Sequence, residues 1–165
     1  MSKPNTEKLL RFVNESPKLS VFLHILCYLC TLSCVFSFGY MLMHFAMRSL
    51  VLVLGFCLAL ALPLVAVSIL RRLVNAQRPY EIYDFYTVPP KNKQGSSFPS
   101  RHAFSAFAIG TLCMFINPII GGITLFLGLV MCFCRVALGI HFVRDVLCGG
   151  LIGIISSLLG VLILL

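Results

Sequence analysis

The stretch VFLHILCYLCTLSCVFSFGYMLMHF, Val21 to Phe45, contains no Asp, Glu, Lys or Arg. About 20 mainly apolar residues in a helix cross the hydrocarbon core of a bilayer, so this stretch reads as a span. It is too long for the apolar core of a signal peptide, and no small-residue cleavage site closes it, so the span is read as retained. Leu50–Leu70, Ile119–Leu138 and Val146–Leu165 are runs of the same kind, and Phe98–Ile116 is a slightly shorter fifth. In lipid the backbone must satisfy its own hydrogen bonds, which leaves helices or closed barrels, and the alternating pattern of barrel strands is absent. The expected fold is all-α: an integral membrane helical bundle of about five transmembrane helices, forming a single domain over residues 1–165.

Composition agrees. The 165 residues are 59% hydrophobic and 11% charged, with a mean hydropathy of +1.01, far from the values of a soluble globular domain. Ahead of the first span, Lys8-Leu9-Leu10-Arg11-Phe12-Val13 is amphipathic and stops at Ser16-Pro17, because proline disfavours helix in the residue before it. Residues 1–18 are therefore expected to form an interfacial segment on the membrane surface. Seven of the eight cysteines (Cys27, Cys30, Cys34, Cys57, Cys113, Cys132, Cys148) lie inside apolar spans and Cys134 at a span end. There they behave as small hydrophobes. Cys27, Cys30 and Cys34 lack the second ligand pair that a zinc site needs, so no metal is expected.

The charge is the informative departure. The 13 Lys and Arg outnumber the 5 Asp and Glu, and all but Arg48 fall in the N-terminal segment, in the Arg71–Arg101 connection, or between Arg135 and Arg144. Counting helices alternately through the membrane puts these three regions on one side. The tendency of basic loops to stay cytoplasmic accounts for Lys3, Lys8, Arg11 and Lys18. It accounts poorly for Arg71, Arg78, Arg101 and Arg135, which sit at helix ends where desolvating a guanidinium is costly unless an anion offsets it. Phosphate suits them, since its oxygens match the guanidinium fork. The expected partners are therefore the bilayer and an anionic headgroup, not nucleic acid, and no particular oligomeric state is signalled.

Three patterns then carry the chemistry. Arg71 is followed after six positions by Arg78-Pro79; Pro99-Ser100-Arg101-His102 opens the short span; and Arg135 precedes His141, which precedes Asp145. One helical turn between His141 and Asp145 lets the carboxylate fix the imidazole tautomer and leave the other nitrogen as a nucleophile. Ser100 combines a hydroxyl with a helix N-terminus, an anion site, and His102 is placed to protonate a leaving oxygen. Individually each has a plainer role: Ser100 as a helix cap, Asp145 as a partner of Arg144 or Arg135, either histidine as an interfacial side chain. His24 and His44 lack basic neighbours and read as structural.

Together the patterns resemble the signature of the type 2 phosphatidic acid phosphatase family, membrane lipid phosphatases related to vanadium haloperoxidases: Lys-x6-Arg-Pro, Pro-Ser-Gly-His and Ser-Arg-x5-His-x3-Asp. Arg71 stands in place of the lysine, Arg101 of the glycine and Cys134 of the serine. The resemblance implies that His141 takes the phosphoryl group as a phosphohistidine, that Asp145 orients it, and that His102 protonates the leaving group and then activates water. It also implies that Arg71, Arg78, Ser100, Arg101 and Arg135 bind phosphate, with no metal or other cofactor, in a multi-pass protein of a bacterial plasma membrane. Family members have about six spans, one more than counted here. Undecaprenyl diphosphate, phosphatidylglycerol phosphate and phosphatidic acid are candidate substrates, with the Tyr80–Ser97 loop as the specificity element. Transfer to an acceptor other than water, a non-catalytic phospholipid-binding or transport protein, and a purely topological basic cluster are the competing readings.

Overall fold

The computed structural model describes residues 3–83 and 94–164. In chain order the helices are α1 (Lys3–Glu15), α2 (Pro17–Ala46), α3 (Leu50–Val74), α4 (Pro79–Ile82), α5 (Arg101–Ile116), α6 (Pro118–Ala137) and α7 (Val143–Leu164). The described residues contain no strand. Four of the helices, α2, α3, α6 and α7, are long and apolar enough to cross a membrane, and α5 is a shorter apolar helix. The chain is a multi-pass membrane protein.

The outer faces match a lipid environment. Phe22, Tyr28, Phe36, Leu58, Leu62, Phe126, Phe133, Leu151 and Ile155 are all more than half exposed, an apolar surface that water would not tolerate. The two short turns, whose one charged residue is Arg48, fall at one end. Ser49 caps α3 by accepting from Val51 N at 3.2 Å, and Asn117 ends α5 and caps α6, accepting from Ile119 N at 3.0 Å.

α5 is the central element, packed against α2, α3, α6 and α7. Its 16 residues reach about 24 Å at 1.5 Å per residue, short of a full hydrocarbon thickness. Its neighbours bury most of its length, and its exposed apolar side chains, Met114 and Phe115, lie near its C-terminal end. The expected start at Phe98 moves to Arg101: Phe98 and Pro99, joined by a cis peptide bond, form a bend ahead of the helix, and Ser100, with extended backbone, is the N-cap. Small residues allow the close packing. A Cβ at Gly149 would collide with the Ser100 carbonyl oxygen, one at Gly153 with that of Phe104, and one at Gly121 with Met114 backbone. Hydrogen bonds between helices add specificity inside the bundle: Ser37 Oγ lies 2.7 Å from Thr124 Oγ1, and Ser157 Oγ donates to Ala108 O at 2.8 Å.

α1 breaks at Ser16-Pro17, where Ser16 is extended and Pro17 opens α2. It buries Leu10, Val13 and Asn14 and turns Phe12 outward. Arg11 Nη2 donates to Tyr83 O at 3.1 Å, which ties the N-terminal helix to the end of the bundle that also carries the C-termini of α3 and α6. The alternate-side count of spans predicts that placement. Cys27, Cys30, Cys34 and Cys134 share one buried apolar cluster with Met131 and Leu138. All eight cysteines are free thiols.

Candidate active site

The helix ends on the α1 side enclose a cavity of about 180 Å³ lined by Arg71, Arg78, Tyr80, Arg101, His102, Arg135, Ile140 and His141. Four guanidinium groups line it, and among the described residues no carboxylate does. Arg71 and Arg78 are each only 6% exposed, so their charge is held largely out of water by fixed dipoles. Arg71 Nη1 donates to Pro99 O at 2.6 Å and to Ser97 O at 3.4 Å. Arg78 Nε donates to Gly95 O at 3.1 Å and its Nη1 to Ile140 O at 3.5 Å. These carbonyls aim the side chains but do not neutralise them, and the Nε of Arg135 is buried with no hydrogen-bond partner among the described residues. Buried cations so placed call for a compensating negative charge.

Local sequence explains how the cavity wall is held. Asn75 ends α3 in the left-handed conformation, with φ +42°, a helix-ending role that asparagine shares with glycine. Its Oδ1 accepts from Ser96 N at 3.2 Å. Gly95, at φ +62° and with Asn75 Oδ1 against the place of a Cβ, permits that approach, and its N–H donates to Glu81 Oε1 at 2.8 Å. At the other wall, Gly139, at φ +67°, ends α6 and turns the chain back, so that Ile140 N and His141 N both donate to Arg135 O, at 3.0 and 3.3 Å. The Arg135 carbonyl thereby sets the position of His141.

His141 is 3% exposed and Asp145 fully buried. Their nearest atoms, Nδ1 and Oδ2, are 3.5 Å apart, longer than an ordinary hydrogen bond. Phe142 N donates to the same Oδ2 at 3.0 Å, and Arg144 Nε approaches Oδ1 at 3.5 Å. With Nδ1 turned toward Asp145, Nε2 is the nitrogen that His141 can present to the cavity. Burial, reinforced by the Arg135 and Arg78 charges and opposed by Asp145, pushes the His141 imidazole below its ordinary 6.5. It is neutral near pH 7.

Of the eight residues singled out from the sequence, six line the cavity: Arg71, Arg78, Arg101, His102, Arg135 and His141. Asp145 sits behind His141. Ser100 is fully buried and is not among the lining side chains; its Oγ accepts from Ala103 N at 3.4 Å and its N–H donates to Asp145 O at 2.9 Å. Its observed part is to cap α5 and pin it to α7. Neither His24 nor His44 lines the cavity. In the sequence Tyr80 and Ser97 mark only the bounds of the specificity loop and Ile140 carries no role; for Ser97, a loop written Gly95-Ser96-Ser97 has no periodicity to mark which hydroxyl turns inward. Within the expected specificity loop, residues 84–93, among them Phe85, Tyr86, Pro89 and Pro90, lie outside the described residues.

A family model described as "PAP2 superfamily" matches residues 52–164. The chain belongs to the PAP2 superfamily. Membership accounts for the ordered spacing from Arg71 to Asp145. Among curated proteins, the PAP2 chain is 34% identical over 79 residues to the "Bacitracin transport permease protein BcrC" of Bacillus licheniformis, a match covering 45% of this chain and 39% of that relative. Among solved structures it resembles Aquifex aeolicus LpxE, at 27% identity and a TM-score of 0.67 over 93% of both chains. It also shares its fold with a PAP2-type phosphatidylglycerolphosphate phosphatase from Bacillus subtilis, at 20% identity and a TM-score of 0.71 over 98% of this chain and 85% of that one.

Proposed function

We propose that this PAP2 protein is a metal-independent lipid phosphatase of a bacterial plasma membrane, working through a phosphohistidine on His141. The observation that carries the reading is the pairing of His141, its Nδ1 held toward Asp145, with a small cavity of four guanidiniums. A phosphate enters on its lipid while the tail stays in the bilayer. Arg71, Arg78, Arg101 and Arg135 engage its non-bridging oxygens and stabilise the charge that spreads over them in the transition state. His141 Nε2 attacks phosphorus in line; the N–P bond forms as the bond to the leaving oxygen breaks, and His102 gives that oxygen its proton. Water then attacks phosphorus, passing a proton to His102, the N–P bond breaks, and inorganic phosphate leaves. Arg71, in the lysine position of the family signature, keeps the charge and adds a second donor direction. Cys134, in the serine position, is buried in the apolar cluster behind α6.

The test is phosphate release by detergent-purified protein in EDTA from undecaprenyl diphosphate, phosphatidylglycerol phosphate and phosphatidic acid, with His141→Ala as control. Release that survives EDTA and vanishes in the variant supports the proposal and ranks the substrates. Release that needs a divalent cation, or that His141→Ala retains, sinks it. Phosphorylated alcohol formed when an acceptor is added would identify a transferase.

A further inference from the structure

We propose that Ser97 is a positioning residue, a hydroxyl relay between Asp145 and His141 that selects the imidazole tautomer. The inference rests on the reading of His141 as the nucleophile. Ser97 is fully buried. Its Oγ donates to Asp145 Oδ2 at 2.5 Å and lies 3.3 Å from His141 Nδ1, whereas the direct contact between histidine and carboxylate is 3.5 Å. Each leg through the hydroxyl is thus shorter than the direct contact between ring and carboxylate.

The proton count fixes the direction. An ionised carboxylate only accepts, and a serine hydroxyl has one proton to give. With that proton directed at Asp145, Ser97 Oγ faces His141 Nδ1 as an acceptor, so Nδ1 carries the ring proton and Nε2 bears the lone pair. Were Nδ1 unprotonated, two lone pairs would face each other between two buried side chains. The backbone holds the relay rigid: Ser97 N donates to Ala76 O at 2.8 Å, and Ser97 O accepts from Arg71 Nη1 at 3.4 Å. One residue thereby links the turn after α3, the Arg71 guanidinium, the histidine and the carboxylate, which belong to two separate sequence patterns.

Two measurements on the full-length protein test this. Steady-state phosphate release is compared for wild type, Ser97→Ala, Asp145→Asn and the double variant, with Ser97→Thr restoring the hydroxyl. Ser97→Ala should lose about 10- to 100-fold in kcat, the range for outer partners of a functional histidine, with KM within about twofold, and Ser97→Thr should recover part of it. In the Asp145→Asn background the same change should cost less than about twofold, because a relay without its carboxylate has nothing to transmit. A loss confined to KM, or an equal loss in both backgrounds, overturns the proposal. The second measurement needs no turnover: nitrogen-15 spectra of histidine-labelled protein, with the His141 signal identified by its absence in His141→Ala. The expected result is an Nδ1-protonated ring in wild type and a mixture of tautomers in Ser97→Ala. An Nε2-protonated ring in wild type, or no change in Ser97→Ala, refutes the relay. If wild type releases no phosphate, the phosphatase reading fails while the spectra still decide the role of Ser97.

Discussion

Replacing Gly149 with alanine tests whether the contact between α5 and α7 sets the geometry of the active site. The new Cβ would collide with the Ser100 carbonyl oxygen and stand 3.1 and 3.2 Å from the Ser100 carbonyl carbon and nitrogen. All three obstacles are backbone, so no side chain can swing aside. Restoring ordinary van der Waals separation requires α7 to retreat from α5 by roughly 1 Å. Overpacking of this kind costs about 1–3 kcal/mol. The retreat also strains the hydrogen bond from Ser100 N to Asp145 O, now 2.9 Å, and carries Asp145 and His141 away from the arginines on α3 and α6. Misplacement by about 1 Å at a reacting centre costs on the order of 100-fold in rate. Gly122, with nothing within 4 Å of its Cβ position, is the control: alanine there should be neutral or stabilising by up to about 1 kcal/mol through helix propensity. Gly150 meets only the Phe107 ring, at 3.1–3.4 Å, so its alanine variant should fall between the two. Unfolding followed with a thiol-reactive dye, which reads the exposure of the buried cysteines, and phosphate release on the same preparations supply both numbers. Gly149→Ala with wild-type melting temperature and kcat, or losses equal to those of Gly122→Ala, would refute the reasoning.

The remaining predictions are shorter. Arg78→Lys cannot serve both Gly95 O and Ile140 O and presents no fork to phosphate, so kcat/KM should fall about 10-fold or more; a loss under twofold would favour the purely topological role. Because His141 must be neutral to attack and its folded pKa lies below 6.5, its contribution to activity is intact above pH 6.5 and is lost as pH falls through that lower value. An acid limb in kcat/KM above pH 6.5 would contradict this. Thr124→Val removes the bond to Ser37 and should cost about 0.6 kcal/mol, with about 1.7 as a ceiling, in reversible unfolding, leaving kcat unchanged because the pair is remote from the cavity.

The membrane spans were legible because each is a local property: a bilayer demands length and apolarity from every segment separately, and Val21–Phe45 or Leu50–Leu70 meets that demand with no knowledge of its neighbours. The residues of the candidate site were legible for a related reason, since Arg71, Arg78, His102, Arg135 and His141 keep a spacing that fixes where each falls at a helix end. Burial at the centre of the bundle had no such mark. α5 reads as one more span, yet Gly149 and Gly153 on α7 and Gly121 on α6 make it the axis on which the others pack.

The sequence by itself determined a helical membrane bundle, its basic face and the set of chemically competent side chains, because hydropathy and spacing are properties of the chain. The tertiary structure decided what those side chains touch. It turned Ser100 from the cavity to the cap of α5, set carbonyl oxygens against buried guanidiniums, and brought Ser97 between His141 and Asp145. Those contacts join residues far apart in the chain, and they exist only where packed helices bring two loops to the same few ångströms.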